Sequence, residues 1–83
     1  MGDEETARLR GLVKGYLQEI DESLTMHDFR IVVGPTHTNL IFDVVTPYSF
    51  PMSDRDLSER IKKRIQKDNP NYFAVIDVDK QMV

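Results

Sequence analysis

The sequence predicts a small α+β domain, an α-β-β-α-β two-layer sandwich in which two helices cover one face of a three-stranded sheet. Two stretches carry apolar residues at helical spacing, and three others alternate in the manner of strands. These five stretches follow one another in the order helix, strand, strand, helix, strand. The chain has 83 residues, which is enough for one domain, so we treat residues 1–83 as a single soluble unit.

The first helix is predicted over residues 3–22, because apolar side chains recur there every three or four positions. They are Leu9, Leu12, Val13, Tyr16, Leu17 and Ile20. Acidic residues at positions 3 to 5 favour the start of the helix, where the unpaired amide groups carry positive charge. Residues 21–25 are expected to form a loop that places Leu24 against the core.

A β-hairpin is predicted between Met26 and Val45, because apolar and polar residues alternate there with a period of two. The side chains expected on one face are Phe29, Ile31 and Val33 in the first strand and Leu40, Phe42 and Val44 in the second. Gly34 and Pro35 interrupt the pattern, and residues 34–38 form the connection. Pro47 ends the second strand, since proline cannot donate to a sheet.

The second helix is predicted to begin at Asp54, after a capping box formed by Ser53 and Asp56, and to end at Asn69 and Pro70. One stripe is apolar: Leu57, Ile61 and Ile65. The opposite side carries basic residues among acidic ones: Arg55, Lys62, Lys63, Arg64 and Lys67. A solvated helix surface is the favoured interpretation of these charges, and a patch for an acidic partner is the alternative.

The third strand is predicted from Tyr72 to Asp79. One face carries Tyr72, Ala74, Ile76 and Val78, and the other carries Phe73, Val75, Asp77 and Asp79. If the Tyr72 set faces the helices, both aspartates point to the uncovered side of the sheet.

The composition excludes several classes of function. The chain has no cysteine, which rules out disulfides and thiolate chemistry, and no apolar run long enough to insert into a membrane. The formal net charge of −3 disfavours a nucleic-acid partner, because binding to phosphates requires concentrated positive charge. The sequence also has no phosphate-binding glycine loop and no recognisable catalytic motif, so we do not expect an enzyme.

The candidate ligating residues are one histidine and three carboxylates. Asp77 and Asp79 project from the same face of the third strand, Asp43 lies on the second strand, and His27 stands at the start of the first. Such donors suit zinc, manganese, iron or magnesium better than copper(I). Exposed strand aspartates also serve commonly as surface charge, which is the competing interpretation. His37, in the hairpin loop, is a weaker candidate.

Several stretches together resemble the cytosolic C-terminal domain of the cation diffusion facilitator (cation efflux) family of metal/proton antiporters. They are His27 to Arg30 at the start of the hairpin, Gly34 to Thr36 at its turn, Asn39 to Val45 in the return strand, and Ala74 to Asp79 in the last strand. The resemblance covers nearly the whole chain. It implies a metallochaperone-like fold at the cytoplasmic face of the cell membrane, joined to a transmembrane portion and paired with its copy in a homodimer.

The resemblance also implies a metal site at His27, Asp43, Asp77 and Asp79, where a divalent ion draws the two copies together and favours transport. Asp43 and Asp77 stand where zinc exporters of the family carry histidine, and Lys80 replaces a common proline. Carboxylates bind most divalent ions more loosely than imidazole binds zinc, so zinc, manganese and iron all remain candidates. The acidic residues at positions 3 to 5 and the turn at residues 34–39 look more like the second copy of this domain, which some bacterial members of the family append after the first.

A stand-alone ferredoxin-like module that senses a small molecule, or a small enzyme with that layout, is the alternative function. An acylphosphatase-type enzyme needs an arginine in a phosphate-cradling loop, and residues 34–39 contain none. The resemblance therefore favours a regulatory and dimerisation domain.

Overall fold

The computed structural model describes residues 2–81, with side chains from residue 4 onward. Its elements are α1 (Gly2–Ile20), β1 (Thr25–Val33), β2 (Thr38–Pro47), α2 (Asp54–Asp68) and β3 (Tyr72–Gln81). This order confirms the predicted α-β-β-α-β arrangement. Neither helix in the described part of the chain is long and apolar enough to cross a lipid bilayer.

The sheet has the strand order β1-β2-β3, so β2 is the central strand. β1 and β2 form the antiparallel hairpin, whereas β2 and β3 run parallel. Parallel neighbours need a long crossover connection, and the segment that contains α2 supplies it. The strand order, which the sequence left open, therefore separates β1 from β3 by the width of β2.

Both helices pack against the same face of the sheet and enclose one core. Its buried residues are Leu9, Val13, Tyr16, Leu17 and Leu24 from α1 and the loop after it, Phe29, Leu40, Phe42 and Val44 from the hairpin, and Leu57, Ile61 and Ile65 from α2. Alternate residues of β3 pack on the edge of this core and are half-buried. The predicted apolar stripe of α2 is confirmed in full.

Two residues expected among the apolar faces are exposed instead. Leu12 is 39% exposed and Val33 is 74% exposed. Leu12 lies at the margin of the α1 stripe, and Val33 is the last residue of β1, beside the turn, where nothing covers the sheet. Periodicity predicts which way a side chain points. It does not predict whether the facing layer of helices or strands extends far enough to cover that side chain.

The helix ends follow local hydrogen bonding. α1 stops at Ile20, two residues earlier than predicted, because the Asp21 carboxylate accepts hydrogen bonds from both the backbone N–H and the hydroxyl of Ser23. α2 begins at Asp54 as predicted, since the Ser53 hydroxyl oxygen accepts from the Asp56 N–H at 3.1 Å.

The hairpin turn requires a glycine at its first position. The backbone N–H of Gly34 donates to the carbonyl oxygen of His37 at 2.9 Å, and a Cβ on Gly34 would lie 2.9 Å from the same oxygen. Such a contact is shorter than side chains tolerate, so Gly34 followed by Pro35 fixes the connection between β1 and β2.

A polar cluster joins the two helices. The Tyr16 hydroxyl donates to the Asp68 carboxylate, and the Arg64 guanidinium lies 4.2 Å from the centroid of the Tyr16 ring. Arg64 also pairs with Glu19 at 2.9 Å and with Asp68 at 3.1 Å. Burial, together with the hydrogen bond to Asp68, raises the pKa of Tyr16 to about 12. These contacts fix the end of α2 against α1.

Leu17→Ala should lower the free energy of unfolding by about 2–5 kcal/mol, because Leu17 is fully buried and its loss leaves a cavity. Leu12→Ala is the matched control on the same helix, and we expect it to cost less than about 1 kcal/mol because Leu12 is partly exposed. Urea denaturation followed by circular dichroism measures both values. Equal losses would contradict the described packing of α1.

Candidate functional site on the open sheet face

The side of the sheet that the helices leave uncovered, here called the open face, forms a regular grid of side chains. The strand registers align its residues in four rows, namely Val32, Asn39 and Phe73; Arg30, Ile41 and Val75; His27, Asp43 and Asp77; and Thr25, Val45 and Asp79. Each row crosses β1, β2 and β3 in that order, with neighbouring strands about 4.8 Å apart. The chemistry of the grid changes from one end to the other.

The rows nearest the hairpin turn are largely apolar. Val32, Phe73 and Val75 are each about half exposed, at 51%, 45% and 53%, and Ile41 lies between them on the central strand. We call these four residues the apolar half of the open face. The His37 ring, in the turn, contacts Phe73 with 4.5 Å between the ring centroids and extends this surface.

The other two rows contain all four predicted metal ligands, and we call these four the acidic half. His27, Asp43 and Asp77 occupy one row, with Asp43 in the centre, and Asp79 lies in the next row beside Val45. β2 separates His27 from the two aspartates of β3. Within residues 2–81, no three histidine, aspartate or glutamate side chains lie close enough to hold one metal ion. One chain therefore presents neighbouring pairs of donors rather than a closed site.

A β-bulge at Asp28 puts His27 in this row. His27 pairs with Asp43 and Arg30 with Ile41, so β1 has one residue more than β2 over this interval. Asp28 takes a positive φ of 56°, a conformation that aspartate tolerates better than most residues. Strict alternation from Phe29 would instead turn His27 toward the helices.

Asp28 is the residue that sequence reasoning missed. Its side chain shares a hydrogen bond with Asp43 and adds a carboxylate next to the acidic half. The sequence contains a signal for the bulge, since the apolar residues Met26 and Phe29 are three positions apart in a predicted strand, and in the structure both pack toward the core. An even spacing is required in a regular strand, so an odd spacing indicates an extra residue.

The Asp43 carboxyl group lies in an unfavourable environment for its charged form. Burial raises its pKa, and so do the hydrogen bond to Asp28 and the negative charges of Asp28, Asp77 and Asp79. A cation near Asp43 would relieve this repulsion. Imidazole and carboxylate donors fit a borderline or hard divalent ion, and His27 with Asp43 is the neighbouring pair that combines both types.

His37 does not join this cluster. It lies in the turn at the opposite end of the hairpin, where its Nδ1 is 3.1 Å from the Thr36 hydroxyl oxygen. About six residues of extended strand separate it from the row of His27, a distance of roughly 20 Å. The two histidines of the chain therefore occupy different environments.

The whole chain is similar to a solved structure described as bearing on the mode of action of CzrB, a proposed zinc transporter. The similarity covers 99% of each chain, with a TM-score of 0.75 and 22% sequence identity. The two chains share a fold. No protein-family model matches the sequence, and no curated protein matches it either. The predicted fold class is therefore confirmed, and the CzrB-like fold includes the sheet that carries the open face.

Asp43→Asn should raise the free energy of unfolding at pH 7. The folded-state pKa of Asp43 is raised, so the folded state binds its proton more tightly than the unfolded state, and stability falls as pH rises through that interval. The neutral amide of the Asp43→Asn variant does not ionise, so the variant does not lose this stability as the pH rises. The gain should shrink toward pH 3, where the carboxyl group is protonated in both states.

Glu22→Gln is the control for this measurement, because Glu22 is an exposed loop acid outside the cluster. Urea denaturation of both variants at pH 3, 5 and 7 gives the comparison. Equal stability of Asp43→Asn and the parent chain at pH 7 would show that the carboxylates do not repel one another in the folded state.

Proposed function

We propose that this chain is a cytosolic regulatory and dimerisation domain of a divalent metal cation efflux transporter, and that it has no enzymatic activity. The observation that carries the proposal is the acidic half of the open face, located on a fold shared over its full length with the CzrB chain. In this proposal the chain hangs at the cytoplasmic face of the membrane, attached to the transmembrane portion of its parent transporter.

The charge and geometry of the acidic half support metal sensing there. His27 and Asp43 face one another across the β1–β2 pair, where Cβ atoms are about 5 Å apart, close enough for two donors to share an ion. Asp77 and Asp79 add negative charge on the next strand. One chain leaves coordination positions open, and donors from a second copy are suited to complete them. Zinc, manganese and iron(II) are the candidate ions.

The apolar half supports homodimerisation through the open face. Val32, Ile41, Phe73 and Val75 place large apolar side chains in two adjacent rows, in which Arg30 and Asn39 hold the remaining positions. Exposed apolar side chains grouped in this way and bordered by polar residues are typical of protein interaction surfaces. A two-fold axis would place the same patch of each copy against the other. The acidic halves then approach one another, and their mutual repulsion makes the dimer responsive to bound cations.

His27→Ala should abolish the response of the chain to divalent metal. Titration of the parent chain with zinc or manganese should shift or broaden the NMR resonances of His27, Asp43 and Asp77, because these residues share one row. His37→Ala is the matched control, since His37 lies at the far end of the hairpin, and we expect it to retain the response. Unmoved resonances in the parent chain would remove metal sensing from the proposal.

Val75→Glu should dissociate the dimer by placing a charge within the apolar half. Sedimentation velocity on the purified chain is expected to show a dimer for the parent and a monomer for this variant at the same concentration. Tyr48→Glu is the control, because Tyr48 is an exposed aromatic residue in the loop after β2, outside the open face. A monomeric parent chain at high concentration, with and without metal, would contradict dimerisation.

A further inference from the structure

A concave surface lies on the helix layer, away from the open face, between the end of α1 and the second half of α2. Its lining residues are Glu19, Ile20, Arg60, Lys63, Arg64 and Lys67, and its volume is about 370 Å³. We call it the α1–α2 groove. Four of its six lining residues are basic, in a chain with a net charge of −3.

The groove carries an excess of positive charge, because four basic residues and one acidic residue line it. Arg64 is paired with Glu19 and with Asp68. Arg60, Lys63 and Lys67 form no ion pair within 4 Å among the residues that the structure describes. Glu19 is the acidic residue among those that line the groove, and its carboxylate pairs with Arg64.

The spacing of these cations makes them repel one another. Arg60 and Lys63 are three residues apart on α2, and Lys63 and Lys67 are four apart, which are the spacings that bring like charges together on a helix surface. Arg60, Lys63 and Lys67 are exposed, and they line a concavity beside the half-buried Ile20. A negatively charged ligand in this concavity would relieve their mutual repulsion.

The groove is also held in shape. Arg64 of α2 stacks on the Tyr16 ring and bonds to Glu19, both of α1, and it also pairs with Asp68 of α2. These contacts fix the position of α2 relative to α1 along the groove. A preformed surface loses less conformational entropy on binding. The α1–α2 groove thus combines a wall held by inter-helix contacts with an excess of positive charge.

We propose that the α1–α2 groove docks an acidic peptide segment that carries carboxylates at alternate positions. In an extended segment, alternate side chains point the same way and lie roughly 6.6 Å apart. Along α2, Arg60, Lys63 and Lys67 are separated by rises of roughly 4.5 and 6 Å. This spacing is shorter than that of the carboxylates, and the long, flexible side chains of the cations bridge the difference. An aliphatic residue of the segment packs on Ile20. This inference does not rest on the proposed transporter function.

Concavity and charge favour a peptide over other anionic partners. A membrane surface is broad and contacts projecting residues first, whereas these cations line a depression. The net negative charge of the chain opposes nucleic acid at longer range.

Fluorescence anisotropy with a labelled eight-residue peptide of alternating glutamate and leucine tests the proposal on the purified chain. We expect saturable binding that weakens with added salt, and at least about tenfold weaker binding to the double variant Arg60→Glu/Lys63→Glu. Arg55→Glu is the matched control, a charge reversal on the same helix outside the groove, and it should bind within about twofold of the parent. Circular dichroism checks that all variants remain folded.

Three results would overturn the proposal. The first is the absence of saturable binding to the parent chain. The second is binding that the double variant retains or that Arg55→Glu loses equally, which would show that the groove is not the site. The third is tighter, groove-dependent binding of phosphatidylserine vesicles or of a short RNA than of the peptide, which would assign the surface to another class of partner.

Discussion

The one-sided burial of β2 is the constraint on which the rest of this structure depends. Leu40, Phe42 and Val44 are essentially inaccessible beneath the two helices. Because a strand alternates its side chains, burying these three forces Ile41 and Asp43 onto the other side. A shift of one residue in register would expose the core and bury Asp43, so the hydrophobic effect that stabilises the fold also fixes the position of the candidate site.

The bulge at Asp28 provides the second half of the site. It lets β1 keep Phe29 in the core while it turns His27 outward, opposite Asp43. A single backbone irregularity thus joins an imidazole to the carboxylates of the acidic half. The bulge also brings the Asp28 carboxylate next to Asp43, which increases the repulsion between negative charges there. This repulsion lowers the stability of the folded chain, and the same negative charges attract a cation.

The two sides of the domain carry opposite charge. The open face ends in carboxylates, whereas the α1–α2 groove is lined by cations. Since the helix layer and the core separate these surfaces, occupation of one leaves the other accessible. A dimer formed through the open face would therefore display two basic grooves on its outer sides, and any partner bound there would be held away from the acidic half.

The sequence by itself determined the order of the elements, the α2 stripe of Leu57, Ile61 and Ile65, the capped start of α2, and the position of Asp77 and Asp79 on the same face of the third strand. These follow from local periodicity and capping, which need no knowledge of distant residues. Only the tertiary structure decided the strand order, the exposure of Leu12 and Val33, and the α1–α2 groove, because each depends on how far one layer extends over another. It also decided that His27 faces Asp43, since the bulge is set by pairing between strands rather than by either strand alone.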